Sequence, residues 1–150
     1  MRLISKILIT VSLIILITTA VLAVNYETST RDVISPSDTI TKDQIKITEN
    51  GILVNVPDAI LVSYNDTNSM DPLLDAEANG IEIPVNESTN LQIGDIVSYE
   101  ATWNETLVSH RIIDIQEDGT YILKGDNNTL QDPESVTRDQ IKYKLIGVFY

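Results

Sequence analysis

The stretch LVSHRIIDIQEDGTYILK, residues 107–124, decides the fold class. Two runs rich in Ile, Val and Leu flank Asp118-Gly119. That dipeptide accepts the positive φ of a tight hairpin turn, so the segment reads as two antiparallel strands, Leu107–Gln116 and Tyr121–Lys124. Similar short runs lie on either side of it. Ile45–Thr48, Ile52–Val56, Ala59–Tyr64, Ile81–Pro84 and Asp95–Thr102 precede it, and Lys142–Tyr150 follows. Turn signals separate them at Asn50-Gly51, Pro57-Asp58, Asn79-Gly80, Gly94-Asp95 and Gly125-Asp126. Short strands at this spacing predict a mainly β domain, a barrel or sandwich, over residues 41–150. Beyond the N-terminus, only Val136–Ile141 carries a hint of helix.

The N-terminus has a different character. Ile7–Val24 contains no charged residue, and about 20 apolar residues in a helix span a bilayer core. Arg2 and Lys6 precede this run, while Glu27 and Asp32 accompany a single Arg31 after it. Residues 1–25 are therefore expected to be a transmembrane anchor with its N-terminus in the cytoplasm. The competing expectation is a cleaved secretory signal, because Val21-Leu22-Ala23 brings small residues near a cleavage point. Either way the remainder is extracytoplasmic. Residues 26–40, rich in Ser and Thr, read as a linker.

Composition narrows the function. Ten Lys+Arg against 22 Asp+Glu give a formal charge of -12, which disfavours a nucleic acid partner. The absence of cysteine removes disulfides, thiolate metal sites and thiol proteases. His110 is the one histidine, so sites built on two imidazoles are excluded as well. No metal or cofactor is expected.

Three segments remain that can carry chemistry: Ser69-Met70-Asp71-Pro72, Ser109-His110-Arg111, and Lys124-Gly125-Asp126-Asn127-Asn128 followed by Asp132. Taken singly, each has an ordinary explanation as a turn or a packed strand residue. Together they supply the parts of nucleophilic acyl transfer: a serine, a base that titrates near neutrality, and a carboxylate to orient it.

The same segments resemble the boxes of the type I signal peptidases of archaea and the endoplasmic reticulum. Those enzymes carry S-M-x-P, G-D-I/V-V, H-R and K-G-D-N-N boxes, the last followed by an acid. Here they stand as Ser69–Pro72, Gly94-Asp95-Ile96-Val97, His110-Arg111 and Lys124–Asn128 with Asp132. The family's bacterial branch uses a lysine base where this chain has His110. The resemblance implies a signal-peptidase-like β domain with Ser69 as nucleophile and His110 as general base. Asp132 or Asp126 would be the orienting acid, Asp132 being favoured, and the Ser69 N–H an oxyanion donor. It implies a preprotein signal peptide bound as an added β-strand along Leu61–Asn65, with Leu61, Ser63, Asn65 and Met70 as substrate-binding residues. Membrane lipid, around the N-terminal helix, and an accessory subunit or translocon are the other partners it suggests. Asn68, where many relatives have a small residue, and Gln131, where some carry an acid, depart from the pattern. A tethered binding or structural module is the alternative from another class, and a relative processing pilus or surface-layer subunits is a narrower variant.

Overall fold

The computed structural model describes the backbone of residues 2–27 and 33–150; within the N-terminal helix the side chains described are those of residues 6, 7 and 9–19. The chain divides into two units, residues 1–32 and 33–150. The first is a helix, α1 (Arg2–Glu27). Its Thr10, Thr18 and Thr19 hydroxyls donate to the carbonyls of Lys6, Ile15 and Leu16, each at 2.9 Å. The transmembrane helix expected over residues 1–25 is not a finding of the structure. Among the described residues no helix is long and apolar enough to cross a membrane.

The second unit is mainly β, with antiparallel pairing throughout its ladders. A two-stranded hairpin of β1 (Ile45–Thr48) and β2 (Gly51–Val54) precedes a six-stranded sheet. The sheet's strands are β3 (Ile60–Ser63), β4 (Asn79–Pro84), β5 (Ile96–Glu100), β6 (Leu107–Ile115), β7 (Tyr121–Lys124) and β8 (Ile141–Phe149). Their spatial order is β3-β4-β8-β5-β6-β7, so among the described residues β3 is an edge strand paired only with β4. The β6–β7 hairpin turns at Gly119, whose φ of 83° is the conformation Asp-Gly turns require. The helix hinted at Val136–Ile141 shrinks to a single 3-10 turn, Arg138–Gln140. The Thr137 amide and hydroxyl both bond Gln140 Oε1, and Val136 is already committed to a β-bridge with Tyr121.

The main core gathers Val97, Tyr99, Val108, Ile112, Leu123, Val136 and Ile141. A smaller cluster of Met70, Leu74, Ile96 and Leu145 sits beneath the Ser69 loop. Residues 33–40, the end of the stretch read as a linker, lie against the sheet. Asp95 Oδ1 accepts from the Ser37 amide at 2.7 Å and from its hydroxyl at 2.8 Å. Lys144 Nζ completes this cluster, 2.9 Å from Asp95 Oδ2 and 2.8 Å from Ser37 Oγ; Asp95 and Lys144 are buried and Ser37 is half-buried. Burial alone would raise the Asp95 pKa, but hydrogen bonds from Lys144, Ser37 and Gln92 outweigh it and hold the carboxyl below the usual range.

Candidate active site

His110 and Arg111 are neighbours on β6, and successive strand residues point to opposite faces. Each takes its own carboxylate. His110 Nδ1 lies 2.8 Å from both Asp132 oxygens, and the pair is buried. Asp132 Oδ2 also accepts from the Tyr99 hydroxyl at 2.8 Å, while the Asp132 amide donates to Leu123 O at 2.8 Å. Burial, and then the bond to Asp132, push the Tyr99 hydroxyl well above the usual tyrosine range, so it remains a donor. Asp126 pairs instead with Arg111: Nε to Oδ1 is 2.7 Å and Nη2 to Oδ2 is 2.6 Å. Arg111 Nη1 reaches the carbonyls of Ile34 and Gly94. The two candidate acids therefore divide, with Asp132 behind the imidazole and Asp126 on the guanidinium.

An acceptor at Nδ1 fixes the imidazole with its proton on that nitrogen and its lone pair on Nε2. Nε2 has no hydrogen-bond partner among the described residues. The single fully enclosed side-chain polar atom without a partner among them is Asp71 Oδ1, so Nε2 is open. His110 and Ser69 together line a cavity of about 400 Å³, a volume within the ordinary range of ligand pockets.

Ser69 reaches this cavity from the loop after β3. Asn68 precedes it with φ at 56°, a left-handed conformation that asparagine tolerates better than most residues. The K-G-D-N-N loop braces the backbone here. Asn127 Nδ2 donates to Asn68 O at 2.9 Å, and the Asn127 amide donates to Ser69 O at 3.0 Å. A Cβ at Gly125 would stand 2.5 Å from Ser69 O, so this close approach requires glycine. Ser69 Oγ lies 3.1 Å from Thr67 Oγ1. Among the described residues no hydrogen bond joins the Ser69 and His110 side chains, and the Ser69 N–H meets no acceptor.

The remaining substrate-binding candidates divide as well. Ser63, Asn65 and Met70 line the cavity with Ser69 and His110. Leu61 is on the edge strand, 70% exposed, and does not line it. Sequence reasoning missed Thr67, Tyr99 and Glu82. Glu82 is 2% exposed and borders the cavity. Its Oε1 accepts from Tyr64 OH at 3.0 Å and Ser98 Oγ at 2.8 Å. Burial raises the Glu82 carboxyl above the usual glutamate range, against the pull of those hydrogen bonds.

The chain is similar to signal peptidase I W of Bacillus subtilis (strain 168), with 30% identity over 82 residues. The similarity supports a relationship to the signal peptidases. The aligned residues are 53% of this chain and 43% of the Bacillus protein, so the chain spans less than half the length of that relative. No family model matches the chain, and no solved structure matches it.

Proposed function

We propose that the chain is a membrane-anchored serine endopeptidase that removes signal peptides from exported preproteins. The observation that carries this is the buried His110–Asp132 pair, with His110 and Ser69 lining one cavity. Ser69 Oγ attacks the scissile carbonyl and His110 Nε2 takes its proton. Asp132 holds Nδ1–H and stabilises the imidazolium, and the Ser69 N–H is free to donate to the developing oxyanion. His110 then protonates the leaving amine. Next it activates the water that hydrolyses the acyl-serine ester, which restores Ser69. A histidine base in this role favours the archaeal and endoplasmic-reticulum type over the lysine-based branch. The peptide pairs along the outer edge of β3, its main chain supplying the hydrogen bonds of an added strand.

The apolar run Ile7–Val24 supports an anchor, as do the threonines of α1 that bond within the helix, since lipid offers a hydroxyl no partner. The cytoplasmic N-terminus and extracytoplasmic domain are part of this proposal. So are preprotein signal peptides and a translocon or accessory subunit as partners. A tethered binding module is the second reading, and the missing hydrogen bond between Ser69 and His110 favours it. Catalytic hydrogen bonds commonly tighten only around substrate, and a direct assay decides. Wild type in detergent, given a preprotein with an Ala-x-Ala site, is expected to release a mature chain whose new N-terminus follows that site. Tight binding of several preproteins with no cleavage would favour the module.

A further inference from the structure

We propose that Glu82 is a specificity residue: the carboxyl oxygen it leaves open in the cavity bonds a hydroxyl side chain of the bound peptide, so the chain favours serine or threonine over alanine there. This rests on the peptidase reading and names the residue class it selects.

Strand β4 reads Gly80-Ile81-Glu82-Ile83, an alternation that would ordinarily send the isoleucines inward and the glutamate out. The structure does the reverse. Gly80 and Glu82 are buried, while Ile81 and Ile83 are half-buried. Every β4 residue is paired with β8 and the one skipped residue, Ile146, lies on β8, so β4 keeps its regular alternation and carries Gly80 and Glu82 on one buried face. Gly80 makes room for the arrangement, because a Cβ there would overlap the Tyr64 hydroxyl that bonds Glu82.

Oε1 of Glu82 is saturated by Tyr64 and Ser98, and Ser98 Oγ is in turn 2.8 Å from Ser109 Oγ. Oε2 has no hydrogen-bond partner among the described residues, yet it is not one of their fully enclosed polar atoms. An accessible oxygen with no protein donor is available to a donor on a bound ligand. Of the residues lining the cavity, Glu82 is the one carboxylic acid, and its neutral form is favoured by burial. A neutral acid can both donate to and accept from a hydroxyl. Met70, Leu74 and Val108 give the same cavity apolar wall.

The test measures kcat/KM on the full chain in detergent. The peptides are identical apart from alanine, serine or lysine at the first or third residue before the cut. Wild type is expected to favour serine over alanine by about 3- to 10-fold at one of the two positions, the worth of one hydrogen bond. Glu82→Leu should abolish that ratio and Glu82→Gln retain part of it. Equal rates for serine and alanine in the wild type overturn the inference whether or not either variant folds. A preference for lysine, or an unchanged ratio in folded Glu82→Leu, also overturns it. If the wild type cleaves none of the peptides, the peptidase reading falls by itself. Fluorescence anisotropy with Ser69→Ala then measures serine against alanine as affinity: tighter binding of the serine peptide supports the role of Glu82, and equal binding overturns it.

Discussion

Replacing Asp132 by asparagine should separate chemistry from stability. Both Asp132 oxygens stand 2.8 Å from His110 Nδ1, and Oδ2 also receives the Tyr99 hydroxyl. Asparagine keeps the shape but has one oxygen and one NH2 group. An NH2 turned to Nδ1 makes that nitrogen an acceptor and moves the imidazole proton to Nε2. The lone pair that should take the Ser69 proton is then lost. The same change in a well-characterised triad lowers turnover about 10⁴-fold, or about 5 kcal/mol of transition-state stabilisation. The expected cost in folding is smaller, about 1–3 kcal/mol for an impaired buried hydrogen bond. Asp126→Ala should behave in the opposite way. It strips two bonds from the buried Arg111 guanidinium, and leaving such a charge unpaired costs about 3–5 kcal/mol. That corresponds to a fall in Tm of roughly 10–20 °C for a domain of this size. The assay is thermal unfolding by circular dichroism, followed by preprotein cleavage at a temperature where both variants are folded. Folded Asp126→Ala should keep activity within about tenfold, while Asp132→Asn loses about 10³–10⁴-fold. If folded Asp126→Ala lost activity as completely while Asp132→Asn retained it, the assignment of the two acids would be refuted.

The other predictions concern the site's supports. Asp95 has a folded pKa below its unfolded value, so its stabilisation is complete above the ordinary 3.8 and is lost as pH falls through the folded value. Glu82 is the reverse: its contribution is present below the ordinary 4.5 and is lost as pH rises through its raised folded value. Urea midpoints across pH should therefore flatten on the acid side in Asp95→Asn, and lose their decline with rising pH in Glu82→Gln. Asn68→Val should cost about 1–2 kcal/mol because its φ is positive, whereas Asn68→Gly should be tolerated; denaturant melts check both. Gly125→Ala forces the brace away from Ser69 O and should lower kcat/KM by up to about 10²-fold, with a much smaller change in Tm.

Strand positions were legible because each run of β-branched residues is bounded by a turn whose chemistry is local. Asp118-Gly119 carries its own hairpin, and all eight expected strands appear within a few residues of their expected ends. What local sequence hides is long-range pairing. Asp126 and Asp132 sit six residues apart in one loop region, and nothing nearby says which meets the imidazole. The adjacency of His110 and Arg111 held a usable clue, since neighbouring strand residues face opposite ways and cannot share one acid. Glu82 was invisible for a stronger reason: its strand alternates as if the glutamate faced solvent, and only the donors from Tyr64 and Ser98, distant in sequence, account for its burial. Ser37 was hidden by composition, because Ser/Thr-rich sequence around a proline looks the same whether it hangs free or caps a buried Asp95.

The central claim is that Ser69 and His110 act as one unit, and a mutant cycle on cleavage tests it most directly. We expect kcat/KM to fall about 10⁴–10⁶-fold in Ser69→Ala and by a similar factor in His110→Ala. The double variant should fall no further, because either loss alone disables the nucleophile. Cleavage that persists in Ser69→Ala, or losses that multiply in the double variant, would contradict the account.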